Sequence, residues 1–121
     1  MYSDQLMRRF YHPTHVGELS SAAGTGVEGD ATCGDVVQVS VELEDGVISG
    51  ARFKTFGCAV AIAASEAVCE LAEGVTPGVA GLIDVQQVMG VIGPLPGQRL
   101  SCAASAVEAV KRAARQAGAP S

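Results

Sequence analysis

The sequence predicts a single domain in which a β-hairpin leads into a set of helices, and three observations predict it. From Val37 onward, Val37, Val39, Val41 and Leu43 alternate with Gln38, Ser40, Glu42 and Glu44, the period of a strand buried on one face. Asp45-Gly46 follows at once and is the strongest short signal for a hairpin turn. Beyond Cys58, and again beyond Gly97, apolar residues recur at the three- and four-residue spacing of amphipathic helices.

A chain of 121 residues with 48% hydrophobic content is long enough to bury a core without staples and fits one domain, residues 1–121. No apolar run reaches the length of a membrane span, and Met1 to Phe10 lacks the apolar centre of a signal peptide, so a soluble cytoplasmic protein is expected. A net charge of -5 and a pI near 4.8 give no footprint for nucleic acid or an anionic membrane. In a reducing compartment the four cysteines point to metal, sulfur chemistry or plain burial before disulfides.

Taken in order, Tyr2 to Tyr11 has a helical pattern that Pro13 stops, and the Gly-, Ser- and Ala-rich stretch through Thr32 is expected to be a mobile arm. Within it, Gly24-Thr25-Gly26-Val27-Glu28-Gly29 fits the dinucleotide-binding glycine pattern, but no strand precedes it and no helix follows, so it is expected to be flexible loop. Val47 to Phe56 returns antiparallel, with Ala51 and Phe53 alternating with Arg52 and Lys54. Val60, Ala64, Ala67, Val68 and Leu71 form a helical stripe that Gly74 ends, and Glu66, Glu70 and Glu73 lie on the opposite, solvated face. Short helices are expected between Thr76 and Val91. Pro94, Pro96 and Gly97 then break the chain before a C-terminal helix striped by Ala103, Val107, Val110 and Ala114, with Ser101 as its N-cap. Lys111, Arg112 and Arg115 complement that helix's dipole.

The hairpin also bears on the cysteines. A two-residue loop at Asp45-Gly46 sets Glu44 opposite Val47, so paired residue numbers total 91, and Cys33 and Cys58 obey the same relation. A bulge would shift that register, yet the two chain ends still meet. Cys102 sits at the start of the last helix, where free N–H groups and the dipole favour a thiolate. Spacing alone leaves a two-thiol site with a candidate third cysteine, against the reading that all are small buried hydrophobes. A helix starting near Cys58 carries Cys69 about 16 Å away at 1.5 Å per residue, which makes it structural. His12 and His15 flank Pro13 and are expected to be solvated, with metal ligation as the alternative. Lys54 is expected to be solvated too, although a cation near the cysteines would lower their pKa.

Cys33-Gly34-Asp35, the run Ala51-Arg52-Phe53-Lys54-Thr55-Phe56-Gly57-Cys58 and the cysteine opening the final helix resemble the NifU-like, IscU-type iron-sulfur scaffold family, as do Tyr2-Ser3-Asp4 and Pro13 to Gly17. The resemblance implies an α+β fold with a three-stranded antiparallel sheet packed against several helices, the last of them long. It implies a scaffold, not an enzyme, that builds a labile 2Fe-2S cluster on Cys33, Cys58 and Cys102 and transfers it to acceptor proteins. Asp35 matches an aspartate that tunes cluster lability and can itself ligate metal. The implied partners are a cysteine desulfurase and iron-sulfur acceptors, with a chaperone pair and a homodimer left open; zinc is the ion expected to compete for the site in purified protein.

The chain also departs from the family. Histidine usually precedes the last cysteine; here Ser101 does, so the fourth ligand is open among Asp35, Ser101, water, a partner's cysteine and a second copy of this chain. The segment read by the family's chaperone, Leu-Pro-Pro-Val-Lys, stands here as Leu95-Pro96-Gly97-Gln98-Arg99. The alternative function is a zinc-binding sulfurtransferase that accepts persulfide on Cys102 or Cys58. That branch carries a long insertion, and the 43 residues between Cys58 and Cys102 do not accommodate it. A thiol oxidoreductase is disfavoured because no C-x-x-C pair is present.

Overall fold

The computed structural model describes residues 2–30 and 35–119, so Cys33 and Gly34 lie outside the described residues. Three strands, β1 (Gly24–Asp30), β2 (Asp35–Glu44) and β3 (Val47–Phe56), form an antiparallel sheet in the order β1-β2-β3. Among the described residues five α-helices accompany it: α1 (Asp4–Tyr11), α2 (Ala59–Ala72), α3 (Pro77–Ala80), α4 (Val85–Ile92) and the long α5 (Leu100–Gly118). The α+β class with a three-stranded sheet and a long last helix is therefore what the chain adopts.

The hairpin forms where Asp45-Gly46 places it. Both turn residues take positive φ, 55° and 79°, as a tight hairpin turn of the primed type requires. Glu44 faces Val47 and Leu43 faces Ile48, but Glu42 then faces Gly50, so Ser49 is the extra residue of a bulge and the register from there on totals 92. Val37, Val39 and Val41 of β2 and Ala51 and Phe53 of β3 are buried against the helices. On those helices, Val60, Ala64, Ala67 and Val68 of α2 and Ala103, Val107, Val110 and Ala114 of α5 are all buried, as their stripes predict.

Four expectations are corrected. The glycine-rich run is strand β1, not loop: a Cβ at Gly24 would lie 2.0 Å from the Ala113 carbonyl oxygen and one at Gly26 2.1 Å from that of Ala109. The glycines let the β1 backbone lie directly on α5, a contact invisible to any pattern of side-chain hydropathy. Ser101 does not cap α5, because a 3-10 turn over Gly97–Arg99 runs into the helix at Leu100 and leaves Ser101 exposed in its first turn. The first helix starts at Asp4, since the Ser3 side chain accepts the Leu6 amide and caps it there.

The last correction concerns the acidic face of α2, where Glu66 is buried and Glu73 half-buried, while Glu70 stays exposed as expected. Glu66 is 3% exposed and accepts bonds from the amides of Thr14 and His15. Arg9 grips Glu70 through two bonds of 2.7 and 2.8 Å. His15 is accordingly half-buried instead of solvated, and the chain beside it runs along the free edge of β3: Gly17 donates to the Phe53 carbonyl and the Phe53 amide donates to the His15 carbonyl, each at 2.8 Å.

Candidate metal centre

Four chain segments meet at one corner of the domain: β2 begins there, β3 ends there, and α2 and α5 start there. Asp35 is the first residue of β2. Cys58 is the N-cap of α2, in extended conformation and with no side-chain capping bond, which leaves its sulfur free to face the corner. Cys102, 3% exposed, is the third residue of α5. The Cys58 and Cys102 sulfurs stand 3.5 Å apart, and the Cys102 thiol donates to Asp35 Oδ2 at 3.1 Å. The ligand atoms of all three residues lie within 4.8 Å of one another. The structure thus brings together Asp35, Cys58 and Cys102, while Cys33 falls outside the described residues.

Two residues that support this corner were not singled out for it by the sequence. A Cβ at Gly57 would lie 2.4 Å from Asp35 Oδ1, so only glycine there lets the carboxylate approach the chain leading into Cys58. Arg99, three residues before Cys102, is the basic residue whose pKa the corner raises, Cys58 first, then Tyr2 and Cys102. Its spacing from Cys102 was the available signal. Lys54, weighed as a cation near the cysteines, is exposed and pairs with Glu18 at 3.2 Å.

Electrostatics also correct the expectation of a dipole-stabilised thiolate. The Cys102 pKa is pushed up from 9.0 to about 12, first by burial, then by its hydrogen bond to Asp35 and the neighbouring Cys58. Burial and the nearby carboxylate thus oppose a thiolate at this helix start. Cys69 is fully buried in the core, and burial followed by Glu66 and Glu73 pushes its thiol well above the ordinary value. Both ring nitrogens of His15 are taken by carboxylates at 2.7 Å, so it is not a free ligand. Ser101 is exposed on α5 beside Glu28, Ala104, Ser105 and Glu108.

A three-stranded antiparallel sheet flanked by helices, with two thiols and a carboxylate converging where strands end and helices start, defines an α+β protein whose corner could hold a metal ion. Residues 1–117 match the family described as the NifU-like N terminal domain, and the chain belongs to that family. It is 38% identical over 113 residues to the iron-sulfur cluster assembly scaffold protein IscU 1 of Archaeoglobus fulgidus, covering 93% of this chain and 74% of that protein. The scaffold protein IscU of Haemophilus influenzae is 36% identical over 116 residues, covering 93% and 91%. The fold is shared with a NifU-like N-terminal protein from Brucella abortus, at TM-score 0.75 and 17% identity over 95% of this chain and 92% of that one. It is shared as well with a candidate SUF-system scaffold from Fervidobacterium islandicum, at TM-score 0.77 and 18% identity over 93% and 96%.

Proposed function

We propose that this chain is an iron-sulfur cluster assembly scaffold that builds a labile 2Fe-2S cluster on Cys33, Cys58 and Cys102, with Asp35 as the fourth ligand, and passes it to acceptor proteins. The single observation that supports this most is the convergence of Asp35, Cys58 and Cys102 within 4.8 Å. Cys33 is included because only Gly34 separates it from Asp35 in the sequence, a span of at most about 7 Å.

The donor set suits a cargo that must leave. Thiolates are strong, soft ligands for iron, whereas a carboxylate is hard and holds iron less firmly. Cys102 must give up a proton that burial and Asp35 retain, so loading is coupled to proton release. Arg99 then faces the negative charge of the loaded corner. Sulfur arrives as persulfide from a cysteine desulfurase, and each sulfane sulfur takes two electrons to become sulfide, supplied by ferrous iron as it is oxidised and by an external thiol or electron-transfer reductant. The chain acts as one scaffold domain in the reducing cytoplasm, where its thiols stay free. Its role is to hold and hand on, with no turnover of its own.

The test is anaerobic reconstitution with iron, cysteine and a desulfurase, reading iron, acid-labile sulfide and zinc per chain alongside the visible spectrum. Equal iron and sulfide that require Cys58 and Cys102 are expected. Stoichiometric zinc that iron and sulfide never displace would replace this reading with zinc-dependent sulfur relay.

A further inference from the structure

The second cluster of titratable side chains lies on the outer face of α2, away from the metal corner. His15 Nδ1 stands 2.7 Å from Glu66 Oε2, and His15 Nε2 stands 2.7 Å from Glu73 Oε1. Carboxylate oxygens only accept, and a neutral imidazole has a single N–H, so one of these contacts would set two lone pairs against each other. The geometry therefore calls for an imidazolium, with both nitrogens donating. Glu66 also takes the Thr14 hydroxyl at 2.9 Å, and Glu73 takes the Ala51 amide at 3.0 Å.

Every element packed here contributes charge. From α2 come Glu66, Glu70 and Glu73; from β3, Arg52, whose guanidinium is 3.4 Å from Glu73; from α1, Arg9, paired with Glu70. Arg8 and His12 line the open side. Three carboxylates are thus engaged by three cations, Arg9, His15 and Arg52, and loss of the His15 proton leaves two.

We propose that His15 is a pH-operated latch: as an imidazolium bridging Glu66 and Glu73 it pins the segment around Thr14–Gly17 to α2 and β3, and its deprotonation releases that segment. Burial opposes the charge, but the bonds to Glu73 and Glu66 prevail and raise the His15 pKa above 6.5. The latch is fully closed below that ordinary value and is lost as pH rises through the higher folded value. Glu66, held low by His15 and Thr14 despite its burial, sets the acid limit: its contribution is present above 4.5 and fades as pH falls through its lowered value.

The test follows His15 ring protons by NMR while measuring amide exchange at Gly17 and Phe53, the two amides that join the segment to β3, each rate taken relative to an unstructured chain at the same pH. His15 is expected to titrate above 6.5. Protection at both amides is expected to fall through that midpoint, about tenfold for every pH unit separating it from the free value, while Val68 in the core holds constant. Glu73→Gln, which keeps an acceptor but removes the charge, moves the fall to lower pH, and His15→Asn abolishes the fall above pH 6.5 while leaving the acid limit set by Glu66. Constant protection across the wild-type titration, or an unmoved midpoint in Glu73→Gln, overturns the latch.

Discussion

The Cys102 proton ties the metal corner to pH. Because burial and Asp35 raise this thiol to about 12, a metal must displace a proton that the folded chain retains strongly. Zinc, used as a probe, is expected to bind more tightly as pH rises from 6 to 8 and to release protons as it does so; calorimetry in buffers of different ionisation enthalpy reads both. Burial likewise settles Cys69, which lies within the core. Cys69→Ser is expected to cost about 1–3 kcal/mol in urea unfolding by placing an unpartnered hydroxyl there, while iron and sulfide per chain stay unchanged. Spacing gave a Cys33–Cys58 pair with Cys102 as a candidate third, and Asp35 came from the family resemblance. Gly57 and Arg99 were not legible, because each acts through what it approaches in space: a glycine beside a carboxylate and a guanidinium three residues from a thiol leave no hydropathy signal.

The elements were legible wherever one side chain in two or in three to four is buried against a single neighbour. That covers β2, β3, the turn at Asp45-Gly46 and the stripes of α2 and α5. Strand β1 escaped because its contact with α5 is backbone on backbone through Gly24 and Gly26. Gly26→Ala would set a methyl 2.1 Å from the Ala109 carbonyl oxygen, and denaturant unfolding is expected to show a loss of at least about 3 kcal/mol. Glu66 on the acidic face of α2 was misread for a related reason: an amphipathic wheel reports one buried side, and here the His15 segment covers Glu66 on the other, while Glu70 stays exposed. Gly57→Ala belongs to this scale as well, since it moves the end of β3 against the start of β2. The fold should survive, and zinc affinity should fall about 10- to 100-fold as Asp35 is displaced.

For the whole molecule, the hairpin brings the start of β2 and the end of β3 together, and α2 and α5 start at the same corner. The sequence could foresee the first pairing from the turn alone. That Cys102 joins it depends on how α5 crosses the sheet, which the β1 glycines permit and which no local pattern states. The sheet and the two helices packed on it thus hold Asp35, Cys58 and Cys102 together, and in the proposed scaffold it is the carboxylate that weakens the grip on iron.

Holding and release together are the central claim, and the direct test is anaerobic mixing of cluster-loaded chain with an apo acceptor that takes a 2Fe-2S cluster, followed by visible circular dichroism. The account predicts that the cluster signal moves to the acceptor with stoichiometric loss from this chain. A cluster that stays on this chain in the presence of excess apo acceptor would contradict it.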